Sequence, residues 1–311
     1  MTGQPFYPFK SERSKSEYVS YYREREKAWP VPFESRLIET PSGTTHVRAS
    51  GRPSDPPLVL LHGARVSSLM WSDSIVALAE HHRTYALDIL GDGGLSVSRS
   101  GTMKPEEVAR WLDGVLAVLV PEGTVSLMGI SLGGFISGQY ALRFPGRVRS
   151  VVLLAPGGLV LPISFTFVVR MMLLTLPLPG RSQGPLSRVL YWLSPEAECG
   201  DDACRARMEQ ALADVRMSWN HMSLPAPEWP KAWDDATWRD FCVPCLVVVG
   251  EHEKIYSARK AVARLNRVAP QVKTVILPGI GHCMTATQPD EVALRALEFL
   301  EEQERISGRA A

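Results

Sequence analysis

Short apolar runs recur along this chain, and they constrain its fold more than any other feature. Six of them are rich in leucine and valine and lie at residues 58–61, 84–87, 125–128, 151–154, 246–249 and 274–277. They are continuous rather than alternating, which is typical of strands that a parallel sheet buries on both faces. Each run is also short for a buried helix. The pattern therefore predicts a largely parallel sheet.

Segments with a helical pattern separate most of these strands. They lie at residues 71–81, 104–119, 132–143, 257–268 and 289–304. Residues 34–49 add two further strands around the turn Pro41-Ser42-Gly43. Alternating strands and helices predict a doubly wound α/β fold with right-handed crossovers. We expect a mostly parallel, eight-stranded sheet with helices on both faces.

One long interval interrupts the alternation. Residues 157–235 separate two predicted strands by far more chain than a connecting loop needs, and they are rich in Leu, Met, Trp and Pro. We interpret them as an inserted helical cap, or lid, over the carboxyl ends of the strands, where open α/β sheets bind ligands. The core then comprises residues 31–156 and 236–311. Residues 1–30 form an N-terminal helical extension whose aromatic side chains dock on that core.

The charge balance argues against two classes of partner. The chain has 34 basic and 33 acidic residues, a net charge of +1, which supplies no general attraction for nucleic acid or an anionic membrane. The longest apolar stretch, residues 159–178, contains Arg170, which makes a membrane span costly. The first residues lack a signal-peptide pattern, so we expect a cytoplasmic protein. Monomer and homodimer both remain open.

The cysteine count is odd, which does not suit a framework of disulfides. The five are Cys199, Cys204, Cys242, Cys245 and Cys283. Cys242 and Cys245 have the spacing of a zinc or redox pair, but a zinc site needs a second pair. We interpret the cysteines as buried thiols outside the chemistry, and we expect neither a metal nor a cofactor.

The strongest indication of chemistry is the segment Gly129-Ile130-Ser131-Leu132-Gly133-Gly134. It lies between a predicted strand and a predicted helix, which is the setting that the Gly-x-Ser-x-Gly motif requires. Its serine would occupy a tight turn at the positive end of a helix dipole, which favours developing negative charge. We therefore predict that Ser131 is a nucleophile.

A serine nucleophile needs a base, and with this motif the chain order is serine, acid, histidine. His282 follows the last predicted strand in a glycine-rich loop, from which it could reach the serine. The loop after the preceding strand contains two candidate acids, Glu253 and Glu251. Four other histidines are expected to face solvent, namely His46, His81, His82 and His221.

Acyl transfer also needs N–H donors for an oxyanion. One donor is expected from Leu132, directly after the nucleophile. The other is expected from the loop His62-Gly63-Ala64-Arg65 after the first apolar run, and we predict the N–H of Ala64. His62 is expected to support this loop rather than to take part in the reaction.

Together these residues resemble the α/β-hydrolase superfamily over nearly the whole chain. Within it, Leu61-His62-Gly63-Ala64, Asp88-Ile89-Leu90-Gly91-Asp92 and Gly250-Glu251-His252-Glu253 look like bacterial carboxylesterases of the carboxylesterase NP type. In relatives the acid usually stands three residues after the glycine of its loop, which favours Glu253. The resemblance implies a triad of Ser131, Glu253 and His282, and the hydrolysis of arylpropionate esters.

We therefore expect a serine hydrolase that cleaves carboxylic esters of hydrophobic small molecules through an acyl-enzyme. The apolar cap is expected to contribute Phe165, Met171 and Met172 to substrate binding. Thioesterases, lactonases and carbon–carbon bond hydrolases use the same triad and remain alternatives. A ligand-binding protein that keeps the fold without catalysis is a further alternative, which an intact triad disfavours.

Overall fold

The computed structural model describes residues 8–99, 104–175, 184–198, 200–223 and 231–310. One sheet of nine strands runs through these parts of the chain. In chain order the strands are β1 (Phe33–Thr40), β2 (Gly43–Ser50), β3 (Pro57–Leu61), β4 (Arg83–Leu87), β5 (Val97–Ser98), β6 (Val125–Ile130), β7 (Val148–Leu154), β8 (Cys245–Gly250) and β9 (Lys273–Leu277).

Across the sheet the strands follow the order β1-β2-β4-β3-β6-β7-β8-β9, and β5 pairs with β2. Five neighbouring pairs are parallel, namely β4–β3, β3–β6, β6–β7, β7–β8 and β8–β9. In contrast, β2 pairs antiparallel with β1, β4 and β5. The prediction of a mostly parallel α/β sheet is confirmed. The predicted count of eight strands missed β5, because a two-residue strand is too short to show a hydrophobic period.

The described helices flank this sheet. They are α1 (Glu12–Glu26), α2 (Ile75–His81), α3 (Pro105–Leu119), α4 (Leu132–Arg143), α5 (Phe165–Thr175), α6 (Gly184–Leu193), α7 (Asp202–His221), α8 (Asp235–Asp240), α9 (Ala258–Val268), α10 (Met284–Thr287) and α11 (Pro289–Ala310). Helix α4 has the predicted bounds. Helix α2 begins later than predicted, because Ser68–Trp71 forms a separate 3-10 turn before it.

The hydrophobic core has two main parts, and the strands supply both. In β3, Val59 and Leu61 belong to one apolar cluster, whereas Leu58 and Leu60 belong to another. Successive side chains of a strand point to opposite faces of a sheet, so β3 is buried from both sides. This double burial explains why its sequence is a continuous apolar run rather than an alternating one.

Helix α1 docks on the core as predicted. Its N-cap, Ser11, accepts a hydrogen bond from the Ser14 N–H. Tyr18 and Tyr22 are buried, and the Tyr22 hydroxyl donates to Asp88 Oδ2 at 2.9 Å. The tyrosines thus fasten α1 to the end of β4.

Two of the histidines that were expected in solvent are buried instead. His46 Nδ1 lies 3.0 Å from Asp88 Oδ2, and His82 Nε2 lies 3.1 Å from Glu304 Oε1. The prediction of solvent exposure was wrong for both, because each imidazole has a carboxylate partner far away in the sequence. Such pairings leave no local pattern.

Helices α5 to α8 occupy the interval between β7 and β8. Helix α7 packs against α1, α6 and α10, so the interval is joined to both ends of the chain. The predicted cap boundary at residue 235 falls on the first residue of α8, and the domain limits stay a prediction. Across the described ranges, no helix combines the length and the apolar character needed to cross a bilayer.

Candidate active site

Ser131 lies in the turn between β6 and α4, with φ 53° and ψ −111°. A non-glycine residue in such a conformation costs about 1–3 kcal/mol, so the surrounding structure must hold it. The Ser131 N–H donates to the Leu154 carbonyl at 2.9 Å, and the Gly157 N–H donates to the Ser131 carbonyl at 3.0 Å. These bonds tie the serine turn to the end of β7.

The glycines of the motif are required by close backbone approaches. A Cβ on Gly129 would lie 2.3 Å from the Gly133 carbonyl oxygen. A Cβ on Gly133 would lie 2.1 Å from the carbonyl oxygen of Leu61, at the end of β3. Real Cβ atoms do not come this close to backbone, so only glycine allows α4 to start directly above the sheet. The first N–H groups of α4 therefore lie beside Ser131.

His282 and Glu253 form the second part of the site. Nδ1 of His282 lies 2.8 Å from Oε2 of Glu253, and Glu253 is nearly fully buried. The other carboxylate oxygen, Oε1, accepts the N–H groups of Lys254 and Ile255, both at 2.8 Å. The carboxylate thus acts as an acceptor, which places the proton on Nδ1 and leaves Nε2 as the basic nitrogen.

Glu251, the alternative acid, has a different environment. Its Oε2 accepts the Gly279 N–H at 3.0 Å, and its Oε1 pairs with Arg259 at 3.2 Å. The hydrogen bond from Gly279 and that from Arg259 hold the pKa of Glu251 below its usual value. The structure thus brings Glu253, and not Glu251, to His282.

The inserted helix α6 holds the histidine loop. The His282 N–H donates to the Leu193 carbonyl at 2.8 Å, and the Cys283 N–H donates to Ser194 Oγ at 2.7 Å. A Cβ on Gly281 would lie 2.2 Å from the Leu193 carbonyl oxygen. The position of His282 therefore depends on the end of α6 as well as on β9.

The loop after β3 lies against the nucleophile. A Cβ on Gly63 would be 3.9 Å from Ser131 Cβ. The Gly63 N–H donates to Met70 Sδ at 3.4 Å, and the Arg65 N–H donates to Asp92 Oδ1 at 2.9 Å. The N–H groups on either side of Ala64 are therefore engaged, which leaves that of Ala64 as the candidate donor of this loop.

His62 is buried and braces the same loop. Its Nδ1 lies 2.7 Å from the Gly63 carbonyl, and its Nε2 accepts the Ile89 N–H at 2.8 Å. Both ring nitrogens are thus engaged with backbone. This arrangement suits a supporting role and leaves no nitrogen for proton transfer to a substrate.

A cavity of about 460 Å³ joins these parts. Ser131, His282, Gly63 and Ala64 all line it. Helices α5 and α6 contribute a set of apolar side chains to its lining, namely Phe167, Met171, Leu186, Val189, Leu190 and Leu193. Its volume suits a small-molecule ligand.

The structure separates the three predicted cap residues. Met171 lines the cavity, whereas Phe165 is 80% exposed and Met172 is 64% exposed, and neither is among the described lining residues. Helical geometry explains the difference: Phe167 and Met171, four residues apart, share the inner face of α5, and Phe165 and Met172 lie on the outer face. The expected contacts of Phe165 and Met172 with substrate are therefore withdrawn.

Cys283 lies in the cavity wall next to His282. Burial raises the pKa of its thiol to about 12, so it stays protonated and is not a nucleophile at neutral pH. In the part of the chain that the structure describes, no group of three or more His, Cys, Asp or Glu side chains is placed to hold a metal ion.

Sequence reasoning missed two sets of lining residues. The apolar face of α6 repeats at three- and four-residue spacing, a signal that could have been used. The charged set on α1 and α7, which includes Arg25, Arg207 and Asp214, gave no such signal. Charged residues on helices usually face solvent, and the packing of α7 on α1 and α10 brings these side chains to the cavity.

The chain is similar in sequence to a protein family and to two named carboxylesterases. A model of the alpha/beta hydrolase family matches residues 58–296. The uncharacterized carboxylesterase nap of Bacillus subtilis (strain 168) is 33% identical over 294 residues, which cover 93% of this chain and 94% of that protein. Carboxylesterase YbfK of the same strain is 30% identical over 294 residues, which cover 94% of this chain and 96% of the relative.

Solved structures agree with these relatives. The crystal structure of naproxen esterase (carboxylesterase NP) from Bacillus subtilis has a TM-score of 0.82 to this chain at 30% identity. The match covers 94% of this chain and 99% of that one. Relatives in sequence and in structure are thus named carboxylesterases, and the similarity covers more than nine tenths of this chain.

Proposed function

Because the chain belongs to the alpha/beta hydrolase family, we propose that it hydrolyses carboxylic esters of hydrophobic small molecules through an acyl-enzyme on Ser131. The observation that carries the proposal is the buried pair of His282 and Glu253 at 2.8 Å, in a cavity that Ser131 also lines. The names of the relatives, which are carboxylesterases, support the same reaction.

The proposed reaction has two halves. Nε2 of His282 takes the proton of the Ser131 hydroxyl while its oxygen attacks the ester carbonyl, and the N–H groups of Leu132 and Ala64 bind the resulting oxyanion. His282 then gives its proton to the departing alcohol, and the acyl group stays on Ser131. In the second half His282 activates a water molecule, which releases the acid and restores the serine.

Glu253 has a supporting part in this proposal. Its hydrogen bond to Nδ1 fixes the tautomer of His282 and stabilises the imidazolium that forms when His282 takes the proton. The two backbone N–H groups on Oε1 hold the carboxylate in place while the charge on the ring changes. A glutamate can perform this task as well as an aspartate, provided that the loop places it, and this loop does.

The cavity supports a substrate with a substantial apolar part. Its lining from α5 and α6 is aliphatic and aromatic, and removing such a substrate from water is favourable in proportion to the apolar area buried. One structural relative is named a naproxen esterase. We propose that residues 157–235 form the lid over this cavity.

The relatives favour an ester over a thioester, a lactone or a carbon–carbon bond as the substrate of this triad. We also propose a cytoplasmic location. The cysteines of the described ranges, Cys204, Cys242, Cys245 and Cys283, are free thiols, as is usual in a reducing compartment.

A fluorophosphonate probe tests the proposed nucleophile. The probe forms a stable covalent bond with an activated serine, so the protein is expected to gain one adduct, and peptide mapping should locate it on Ser131. The His282→Ala variant, which lacks the base, should label far more slowly. A protein that stays unlabelled, or labels elsewhere, would exclude the proposed site and favour the ligand-binding alternative.

A further inference from the structure

The cavity also has a polar side, which the proposed ester hydrolysis does not use. Its residues come from α1, from the turn before α2, and from α7, rather than from α5 and α6. We call these residues the polar arm: Arg25, Asp73, Arg207, Gln210 and Asp214. Charged side chains are unusual in the wall of a pocket for an uncharged ester.

Asp214 and Arg25 form an ion pair in the cavity wall. Oδ1 of Asp214 accepts the Tyr21 hydroxyl at 2.6 Å and Gln210 Nε2 at 3.1 Å, and Arg25 Nε lies 3.5 Å away. The side chains of Arg25 and Asp214 are 17% and 8% exposed, so the two opposite charges are partly buried together. This pair is close to neutral as a unit.

Arg207 is held differently. Its Nε donates to the Ala286 carbonyl at 2.7 Å, and among the described residues no carboxylate lies within ion-pair distance of its guanidinium. A guanidinium that uses only Nε still presents the edge between its two terminal nitrogens, and that edge matches a carboxylate. Ala286 lies on α10, four residues after His282, so the bond keeps Arg207 near the histidine loop.

Arginines and aspartates share the wall of the cavity. Three arginines, Arg25, Arg65 and Arg207, and two aspartates line it among the described residues. Burial raises the pKa of Asp73, although the charges of Arg207 and Arg25 oppose this effect. Asp73 and Arg207 share this wall without forming an ion pair with each other, and a guanidinium in a cavity wall favours an anionic group in the bound ligand.

We propose that Arg207 binds a free carboxylate of the substrate, so that the preferred esters carry a carboxylate remote from the bond that is cleaved. The inference rests on the proposed function and names the substrate class of the same cavity. The apolar lining from α5 and α6 holds the hydrocarbon part, and the polar arm holds the charged end. Half-esters of dicarboxylic acids have this pattern, as do acyl esters of hydroxy acids.

Matched pairs of esters test the proposal. Monomethyl adipate and methyl hexanoate differ by a carboxylate in the acyl part. The butyrate ester of 6-hydroxyhexanoate and hexyl butyrate differ by a carboxylate in the alcohol part. Wild-type protein is expected to have the higher kcat/KM for the charged member of at least one pair, and the responding pair identifies which part of the ester faces Arg207.

The variant Arg207→Gln should lower kcat/KM for the charged ester by roughly 10- to 100-fold more than for its neutral partner, mainly through KM, because a charge-assisted hydrogen bond is lost. Arg207→Lys keeps the charge but not the planar edge, so its kcat/KM for the charged ester should lie between those of the wild type and Arg207→Gln. Arg205→Gln is the matched control, because Arg205 lies on the same helix, pairs with Asp202 and does not line the cavity.

Two results would overturn the carboxylate site. Wild-type protein could show no preference for the charged ester in either pair. Arg207→Gln could lower both members equally, which would mean that Arg207 only supports α10 and the histidine loop. Finally, if wild-type protein hydrolyses neither the neutral nor the charged esters and takes no fluorophosphonate label, the proposed function itself fails. Hydrolysis of neutral esters without a charge preference rejects the carboxylate site alone. Thermal unfolding of each variant confirms that it is folded.

Discussion

Nδ1 of His282 lies 2.8 Å from Oε2 of Glu253, although the two residues come from different loops of the sheet. The loop after β8 carries the glutamate, and the loop after β9 carries the histidine. Because β8 and β9 are parallel neighbours, their carboxyl ends meet at one edge, where the turn after β6 also presents Ser131. The order of strands in the sheet thus assembles a site from residues far apart in the chain.

This pair predicts the effect of changing the acid. Glu253→Gln should lower kcat for a 4-nitrophenyl ester by about 10³-fold or more, because an amide can present the wrong partner to Nδ1 and cannot stabilise the imidazolium. Glu251→Gln is the control and should stay near the wild-type rate, since Glu251 bonds Gly279 and Arg259 instead. Equal losses in the two variants would contradict the assignment of the acid.

The serine turn predicts a steric effect. Gly133→Ala should lower the free energy of unfolding by about 2 kcal/mol or more, because the new Cβ would lie 2.1 Å from the Leu61 carbonyl oxygen. Gly146→Ala is the control, since a Cβ there meets no atom within 4 Å, and it should change stability by less than about 0.5 kcal/mol. Urea denaturation measures the free energy of unfolding of both variants. A Gly133→Ala variant as stable as the wild type would show that Gly133 does not lie so close to the Leu61 carbonyl oxygen.

The inner face of α5 predicts a difference between neighbours. Met171→Ala should lower kcat/KM for a long-chain 4-nitrophenyl ester roughly tenfold, because it removes apolar surface from the cavity wall. Its effect on the acetate ester should be smaller. Met172→Ala should have little effect on either ester, since Met172 lies on the outer face. The reverse order of effects would show that α5 is turned differently.

The buried Asp88 predicts a dependence of stability on pH. Burial disfavours its ionised form, but the hydrogen bond and charge of His46 and the charge of Arg48 outweigh that effect, and the pKa of Asp88 lies well below its usual value. The native state therefore binds fewer protons than the unfolded state between the two pKa values. The ionised Asp88 carboxylate therefore stabilises the native state fully at pH values above the unfolded-state pKa of about 3.9. This stabilisation is lost as the pH falls through the pKa of Asp88 in the native state.

Asp88→Asn should therefore lower the free energy of unfolding near neutral pH by roughly 3–5 kcal/mol, because His46 loses its buried carboxylate partner and Arg48 loses a nearby negative charge. The difference between variant and wild type should shrink as the pH is lowered below about 4. Denaturant titrations over a series of pH values measure this difference. A gap that stays constant on acidification would contradict the proposed role of the Asp88 charge.

Elements with a strong local pattern could be predicted from the sequence. The apolar runs located the strand cores, and the Gly-x-Ser-x-Gly segment located the turn before α4, because steric limits at Gly129 and Gly133 act over a few residues. The strand ends were less certain. β7 starts at Val148 and β8 at Cys245, and both extend beyond the runs used to predict them, because pairing with a neighbour continues past the apolar residues.

Features that depend on distant contacts could not be predicted in the same way. His46 looked exposed because its partner Asp88 lies 42 positions away. The choice between Glu253 and Glu251 depended on a family resemblance, because the loop sequence alone allows both. Residue type alone predicts that Phe165 and Met172 contact a substrate, whereas the rotation of α5 decides which side chains face the cavity. The charges of Arg25 and Arg207 had no local signature.

Steady-state hydrolysis of 4-nitrophenyl butyrate tests the proposed acyl-enzyme on Ser131. Wild-type protein should turn the ester over, and Ser131→Ala should reduce kcat by about 10⁴-fold or more, because it removes the hydroxyl that His282 activates in the proposed reaction. Circular dichroism confirms that the variant is folded. A folded Ser131→Ala variant that keeps the wild-type rate would show that Ser131 is not the nucleophile.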